Sequence, residues 1–318
     1  AEKVFAEILA YDPLNHFSLY EKSVVTKSDT ERKTFKDIVR GEFPYQTYLE
    51  IALEYLSFGL KDEAMHLLSQ APQHPLIQIW NAYLKNDAST LNQIATASPA
   101  FVFPYRTESL KALEWATSQN ANWKYKYFLA LNYHAVQRHE EAVKLLEACK
   151  QEPDYAPFYL TRANIVNDAK QVLGDLQTAN RIAPGEWRTW NYLINHFEKT
   201  GDFKQELALA SQASKKFKDN YTLGFEYVKA LLNTGQYDAS IKMLKKLYIL
   251  PFEGSSDGRD IYEQATLLSA LKLIQNKNYK AALTQIDASR QWPENLGVGK
   301  PYDVDNRLQD YLTGYCLA

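Results

Sequence analysis

The feature that most constrains this chain is a repeat with a period of 34 residues. The segment WNYLINHFEKTGDFKQELALASQA (190–213) has the same pattern as GFEYVKALLNTGQYDASIKMLKKL (224–247). Gly201 and Gly235 are 34 residues apart, and the residues that follow each glycine keep this spacing. Periods of this size indicate an array in which each repeat is one supersecondary unit that buries its apolar face against its neighbours.

Each repeat predicts two helices joined by a tight turn. Leu193 and Phe197 lie at helical spacing in the first helix, and Ala210 and Ala213 do so in the second. Gly201 follows the first helix, where a left-handed residue is needed to turn the chain. The period and this pattern are typical of tetratricopeptide repeats. The sequence therefore predicts an all-α fold, a right-handed superhelical α-solenoid of tetratricopeptide-like helix-turn-helix repeats.

The same pattern recurs along the chain. Further copies are expected at 48–71, 126–149, 156–184 and 266–289. Irregular repeats are expected at 14–42 and 76–120, and a loop insertion at 252–260, which holds the turn-forming residues EGSSDGRD. We therefore expect a single solenoid over residues 1–318.

Composition narrows the choice of partners. The net charge is −2, so no excess of positive charge favours nucleic acid as a partner. No stretch approaches the roughly 20 apolar residues of a membrane span. The two cysteines, Cys149 and Cys316, lie far apart and form neither a disulfide framework nor a metal pattern. We expect no nucleic acid, no membrane span, no metal and no cofactor, and the compartment stays open.

Several segments also resemble large bacterial proteins that join an N-terminal, β-rich domain of unknown function to a long tetratricopeptide array. The segments are ILAYDPLNHF (8–17), YLEIALEYLSFGLKDEA (48–64), FVFPYR (101–106), APFYLTRA (156–163), WRTWNYL (187–193), ILPFEG (249–254) and WPENLGVGKPYDVDNR (292–307). The resemblance implies the repeat array for this chain and, through the β-rich domain, a link to carbohydrates. It implies no catalytic residue at these positions.

Catalytic motifs such as phosphate loops, nucleophile elbows and paired metal-binding histidines are missing from the sequence. A helical glycosidase needs only two carboxylates across a cleft, so it is the enzyme alternative. Its candidates come from the expected insertion and from the WPEN segment: Glu253, Asp257, Asp260 and Glu294. Spacing alone does not pair them, and the sequence favours no catalytic residue.

Binding is expected on the surface formed by the first helices of the repeats. Cationic and amide side chains there could hold the carboxylate or main chain of a peptide, arginine by its two-pronged geometry. The binding candidates are Arg106, Tyr127, Arg162, Arg188, Asn191, Asn195 and Lys229. They do not reproduce the lysine and asparagine pattern with which chaperone-binding arrays clamp a terminal carboxylate.

Two functions are expected from the sequence. The first is a non-catalytic scaffold whose partner is a protein, a peptide or the parent chain's own N-terminal domain. The alternative is the helical part of a carbohydrate-active protein, which would shape a glycan site with that domain. The chain begins without methionine and ends within a helical pattern, so we expect a fragment of a longer protein. An apolar edge at about 303–318 predicts weak self-association.

Overall fold

A computed structural model describes residues 1–41, 43–251 and 256–318. Within these ranges every regular element is helical, and there is no strand. The all-α fold expected from the 34-residue period is therefore confirmed. The chain divides into two compact units, Ala1–Tyr155 and Ala156–Ala318, and the single solenoid over residues 1–318 stays a prediction.

The described part of the first unit contains ten α-helices. They are α1 (Glu2–Tyr11), α2 (His16–Thr26), α3 (Asp29–Val39), α4 (Pro44–Ser57), α5 (Lys61–Ser69), α6 (Pro75–Lys85), α7 (Leu91–Ile94), α8 (Leu110–Gln119), α9 (Trp123–Ala135) and α10 (His139–Ala148). The region expected to be irregular, 76–120, holds α6 to α8, and short 3-10 turns precede α7 and α8.

The second unit contains nine α-helices in its described residues. They are α11 (Ala156–Ile165), α12 (Ala169–Ile182), α13 (Trp187–Thr200), α14 (Phe203–Lys216), α15 (Tyr221–Asn233), α16 (Tyr237–Leu244), α17 (Asp257–Gln275), α18 (Tyr279–Ser289) and α19 (Arg307–Leu317). Consecutive helices from α11 to α18 pack in pairs, as tetratricopeptide-like repeats require.

The turn between α13 and α14 shows how the sequence produces a helix pair. Gly201 has φ 75°, a left-handed conformation that ends α13 at little cost because glycine has no Cβ. The amide of Asp202 donates to the carbonyl of Phe197, which closes α13. The side chain of Asp202 accepts from the amide of Gln205 at 3.1 Å and caps α14. Gly201 and Asp202 thus end one helix and start the next.

Small side chains at the contact points let paired helices approach closely. The alanines of the cores are fully buried, among them Ala52, Ala64, Ala130, Ala142, Ala210, Ala213, Ala230, Ala265, Ala270 and Ala282. Larger residues fill the space around them, such as Ile194 and Leu223 beside Ala210 in the second unit. A larger residue at these alanines would force the helices apart.

A segment after α18, residues 292–297, folds back onto the end of α16. Asn295 donates from its side-chain amide to the carbonyls of Leu244 at 3.0 Å and Leu247 at 2.7 Å. The amide of Ile249 donates in return to the carbonyl of Asn295 at 2.9 Å. We call residues 292–297 the strap. It holds the chain after α16 in place and puts Leu296 into the core beside Ile249.

The expected loop insertion at 252–260 ends inside a helix. Residues 252–255, and with them Glu253, lie outside the described residues. Asp257 to Asp260 form the first turn of α17. At the other end of this unit, α19 leaves Leu308, Tyr311 and Tyr315 exposed, and self-association through it remains a prediction.

Candidate functional site

The second unit contains a cleft of about 630 Å³. Its walls come from α13, α15 and α17, the first helices of three successive pairs, together with one residue from the chain after α16 and one from the strap. The lining residues are Glu198, Tyr221, Thr222, Phe225, Glu226, Lys229, Leu232, Asn233, Ile249, Asp257, Gly258, Asp260, Ile261, Gln264 and Leu296. The cleft lies on the face where the repeat pattern predicts binding.

The cleft combines an apolar wall with a charged one. Phe225 and Ile261 pack against the core below and keep part of their surface accessible, while Ile249 and Leu296 are buried. Asp257 and Asp260 are exposed at the start of α17. Such a mixture of apolar surface and a few charged groups is the usual character of a binding pocket.

Glu226 is the most buried charged residue of the cleft, with only 5% of its surface exposed. One carboxylate oxygen, Oε1, accepts from the Nζ atom of Lys229 at 3.1 Å. The other, Oε2, is buried and has no hydrogen-bond partner among the described residues. Burial raises the pKa of the Glu226 carboxyl, and attraction to Lys229 offsets this only in part. Burial of this carboxylate costs free energy, because a buried carboxylate oxygen ordinarily accepts a hydrogen bond and Oε2 does not.

Lys229 lies one turn after Glu226 on α15 and is its counter-ion. Burial acts to lower the pKa of Lys229, but attraction to Glu226 and the hydrogen bond outweigh it, so the pKa is raised. The ammonium group therefore stays protonated beside the carboxylate.

A second buried carboxylate, that of Glu206 on α14, lies behind the cleft. Its two oxygens each accept from the side-chain amide of Asn233 at 3.1 Å. Burial raises the pKa of Glu206, the hydrogen bond from Asn233 opposes this, and the nearby carboxylates of Glu198 and Glu226 add to the rise. Glu206 does not line the cleft, whereas Asn233 does.

Two of the seven binding candidates, Arg162 and Tyr127, are buried, and a role for them in binding stays a prediction. Arg162 is only 2% exposed and makes a two-pronged ion pair with Asp175, with donor–acceptor distances of 2.8 and 2.7 Å. Tyr127 is 5% exposed and packs on Trp123 and Tyr155. Both side chains pack inside their unit in this structure.

Two further candidates are held on the surface by neighbouring side chains. Arg106 pairs with Glu50 in the first unit. Arg188 pairs with Glu186 at 3.3 Å and lies over the ring of Trp187. Surface pairs of this kind are weak, so they leave both arginines able to change partners.

The remaining candidates are Asn191, Asn195 and Lys229. Lys229 lines the cleft. Asn191 and Asn195 are half-buried on α13 and are not among its lining residues. The side-chain oxygen of Asn191 is buried without a hydrogen-bond partner among the described residues. Of the seven binding candidates, Lys229 thus lines the cleft, and its use in binding remains a prediction.

No protein-family model matches this chain, and no curated protein matches it. Among solved structures, the chain is similar to tetratricopeptide-repeat proteins. A tetratricopeptide repeat protein from Parabacteroides merdae is 11% identical with a TM-score of 0.38, over 86% of this chain and 99% of that one. Yeast Tom70 is 12% identical with a TM-score of 0.30, over 99% and 91%. The tetratricopeptide domain of P58(IPK) is 13% identical with a TM-score of 0.32, over 99% and 92%.

The glycosidase candidates among the described residues do not all lie in the cleft. Asp257 and Asp260 line it, but Glu294 is exposed in the strap and does not. No tryptophan is among the described residues that line the cleft. In the described part of the chain, no three His, Cys, Asp or Glu side chains form a group that could hold a metal ion. No helix described there is long and apolar enough to cross a membrane.

Glu226 is the residue that sequence reasoning missed. The chain has 38 acidic residues, and the sequence alone does not show which glutamate is buried. One signal was present: Glu226 lies between the apolar residues Phe225 and Val228 on a helix whose next charged residue, Lys229, is three positions on. A carboxylate at that spacing from a lysine can be paired within its own helix.

Proposed function

We propose that this chain is a non-catalytic scaffold that binds a segment of another protein in the cleft between α13, α15 and α17. The observation that carries the proposal is the cleft itself, which first helices of three successive repeats line with both apolar and charged residues. Its volume of about 630 Å³ suits a few side chains of a bound segment. Repeats stacked in this way present an extended binding surface.

The test begins with peptides selected for binding to the whole chain from a random library displayed on phage. The affinities of the selected peptides are then measured by fluorescence anisotropy for two variants. Gln264 lines the cleft and is exposed on α17, so Gln264→Trp should fill the cleft and weaken binding at least about tenfold. Gln275→Trp makes the same change at the end of the same helix, outside the cleft, and should leave the affinity unchanged.

Peptides whose affinity is the same for Gln264→Trp and the unchanged chain would show that they bind elsewhere, and the cleft would lose its proposed role. A library that yields no peptide above background would contradict peptide binding altogether. The β-rich domain that the sequence resemblance implies is a further partner to test. Titration calorimetry with that domain would show saturable heat that Gln264→Trp removes.

A further inference from the structure

We propose that the cleft accepts a lysine or arginine side chain of the bound segment, with its cationic end at Oε2 of Glu226. This inference rests on the proposed function and adds the chemistry of the ligand to it. The apolar stem of such a side chain would lie along Phe225 and Ile261. The partner is then a protein segment that carries a basic residue beside an apolar one.

The charge of the cleft favours a cation. Its described lining residues carry four carboxylates against the single ammonium group of Lys229. The carboxylates are those of Glu198, Glu226, Asp257 and Asp260. An anionic ligand would meet repulsion from this set, whereas a cationic one would be attracted before contact.

Glu226 supplies the specific contact. Its side chain is more than nine-tenths buried and faces the cleft, and Lys229 satisfies only one of its two oxygens. A buried acceptor without a donor costs free energy, which a donor brought by a ligand would recover. A charged donor would recover more than a neutral one, because hydrogen bonds between ionised groups are the stronger kind.

The acidic residues at the start of α17 have a structural explanation of their own. Carboxylates in the first turn of a helix are stabilised by its dipole, so Asp257 and Asp260 would be favourable there without any ligand. Glu226 has no such explanation. It lies in the middle of α15, which runs from Tyr221 to Asn233, far from either end.

The lining residues favour a side-chain cation over a metal ion. In the described part of the chain, no three acidic, histidine or cysteine side chains stand close enough together to hold a metal. The partly exposed apolar residues Phe225 and Ile261 instead suit the methylene stem of lysine or arginine. These side chains combine a long apolar stem with a charged end.

The experiment uses the whole chain and the peptides selected above. Each selected peptide is compared with a version in which its basic residue is replaced by methionine, which keeps the apolar length and removes the charge. Both versions are titrated against the unchanged chain and against Glu226→Gln, Lys229→Gln and Glu206→Gln. Glu206→Gln is the matched control, because it removes a neighbouring buried carboxylate that does not line the cleft.

We expect Glu226→Gln to lower the affinity for the basic peptide at least about tenfold. The affinity for the methionine version should change by less than about twofold. Lys229→Gln should raise the affinity for the basic peptide, because it removes the competing cation and frees Oε1 of Glu226. Glu206→Gln should change either affinity by less than about threefold. The opposite signs for Glu226 and Lys229 separate a direct contact from a loss of folding, which would weaken binding in both variants.

Peptides that enter the cleft, as judged by Gln264→Trp, but carry acidic or neutral residues at the selected positions would overturn this inference and leave the proposed function standing. If Glu226→Gln lowers the affinities for the basic and the methionine peptides equally, the inference is also overturned. Spermidine is a small polycation without a peptide backbone. If it competes for the cleft as strongly as unlabelled peptide does, the cleft binds small cations and the inference of a protein segment is overturned. Binding that Gln264→Trp does not change would contradict the proposed function first.

Discussion

Arg162 and Asp175 form an ion pair inside the second unit, where both side chains are almost fully buried. The guanidinium group also lies 5.1 Å from the ring centre of Phe158 and 5.3 Å from that of Tyr159. Desolvation of two charges is costly, and their attraction balances it only while both partners are present. The pair therefore holds α11 and α12 in one arrangement.

Replacing Asp175 by alanine should lower the free energy of unfolding by about 3–5 kcal/mol, because it breaks the buried ion pair with Arg162. Urea denaturation followed by circular dichroism measures the loss. Glu186→Ala removes one partner of an exposed pair on the neighbouring helix pair and should change stability by less than about 0.5 kcal/mol. A loss below about 1 kcal/mol for Asp175→Ala would show that the ion pair contributes little to stability.

Glu206 predicts a dependence of stability on pH. Burial raises its pKa in the folded state, so the folded state holds its proton more tightly than the unfolded one. The unfolding free energy should therefore rise as pH falls through the folded-state pKa and level off below the unfolded value. Glu206→Gln should stabilise the protein at pH 7 and lose this advantage toward pH 4.

Thermal denaturation of Glu206→Gln and the unchanged chain at several pH values measures this pH dependence of stability. Glu147→Gln, at an exposed position, is the control. The same stability gain at pH 7 and pH 4 would show that folding does not raise the pKa of Glu206. A destabilised Glu206→Gln at pH 7 would show that the hydrogen bond from Asn233 outweighs burial.

Burial of a single charged residue depends on packing that the local sequence does not encode. An arginine at position 162 was expected to bind a ligand because its charge is visible in the sequence, whereas its burial is not. The partner that explains it, Asp175, lies 13 residues away on the next helix. Only the packing of α11 against α12 brings the two together. Nothing in the local pattern distinguishes this pair from an exposed one.

At the scale of elements, the start of α17 is fixed by its contact with the strap. A Cβ atom added to Gly258 would lie closer to the backbone carbonyl oxygen of Leu296 than van der Waals contact allows. Gly258→Ala should therefore displace the strap and cost about 1–3 kcal/mol of stability. Gly174→Ala, inside α12 with open space around its Cβ, should instead be neutral or stabilise by up to about 1 kcal/mol.

Chemical denaturation of the two glycine variants gives this comparison directly. Peptide binding should weaken in Gly258→Ala as well, because Gly258 and Leu296 both line the cleft. A Gly258→Ala protein as stable as Gly174→Ala would mean that the strap adjusts to the added methyl group without loss.

The helices could be predicted from the sequence, but half of the cleft could not. Periodicity places α13 and α15, because each pair repeats the same apolar spacing and turn residues, such as Gly201 and Gly235. The start of α17 was expected to be a loop, since EGSSDGRD is rich in glycine, serine and aspartate. The position of the strap could not be predicted either. Asn295 reaches carbonyl groups about 50 residues earlier, a contact that no repeat period encodes.

At the scale of the whole molecule, residues 156–318 form a compact unit of their own. Each helix pair in a repeat array relies mainly on its neighbours, so such a unit can fold without the rest. We expect residues 156–318 expressed alone to give a helical circular dichroism spectrum and a cooperative thermal transition. A broad, non-cooperative transition would show that the unit depends on residues 1–155.

The strap bonds link residues 51 and 48 positions apart, and between them lies the α17–α18 hairpin. Long-range closures of this kind form late in folding, because the entropy of ordering the intervening chain must be overcome first. We therefore expect the cleft to be the last part of this unit to assemble and the first to open. Amide hydrogen exchange at Ile249 should then report on the cleft from a distance, slowing when a ligand binds and holds the wall of α17 closed.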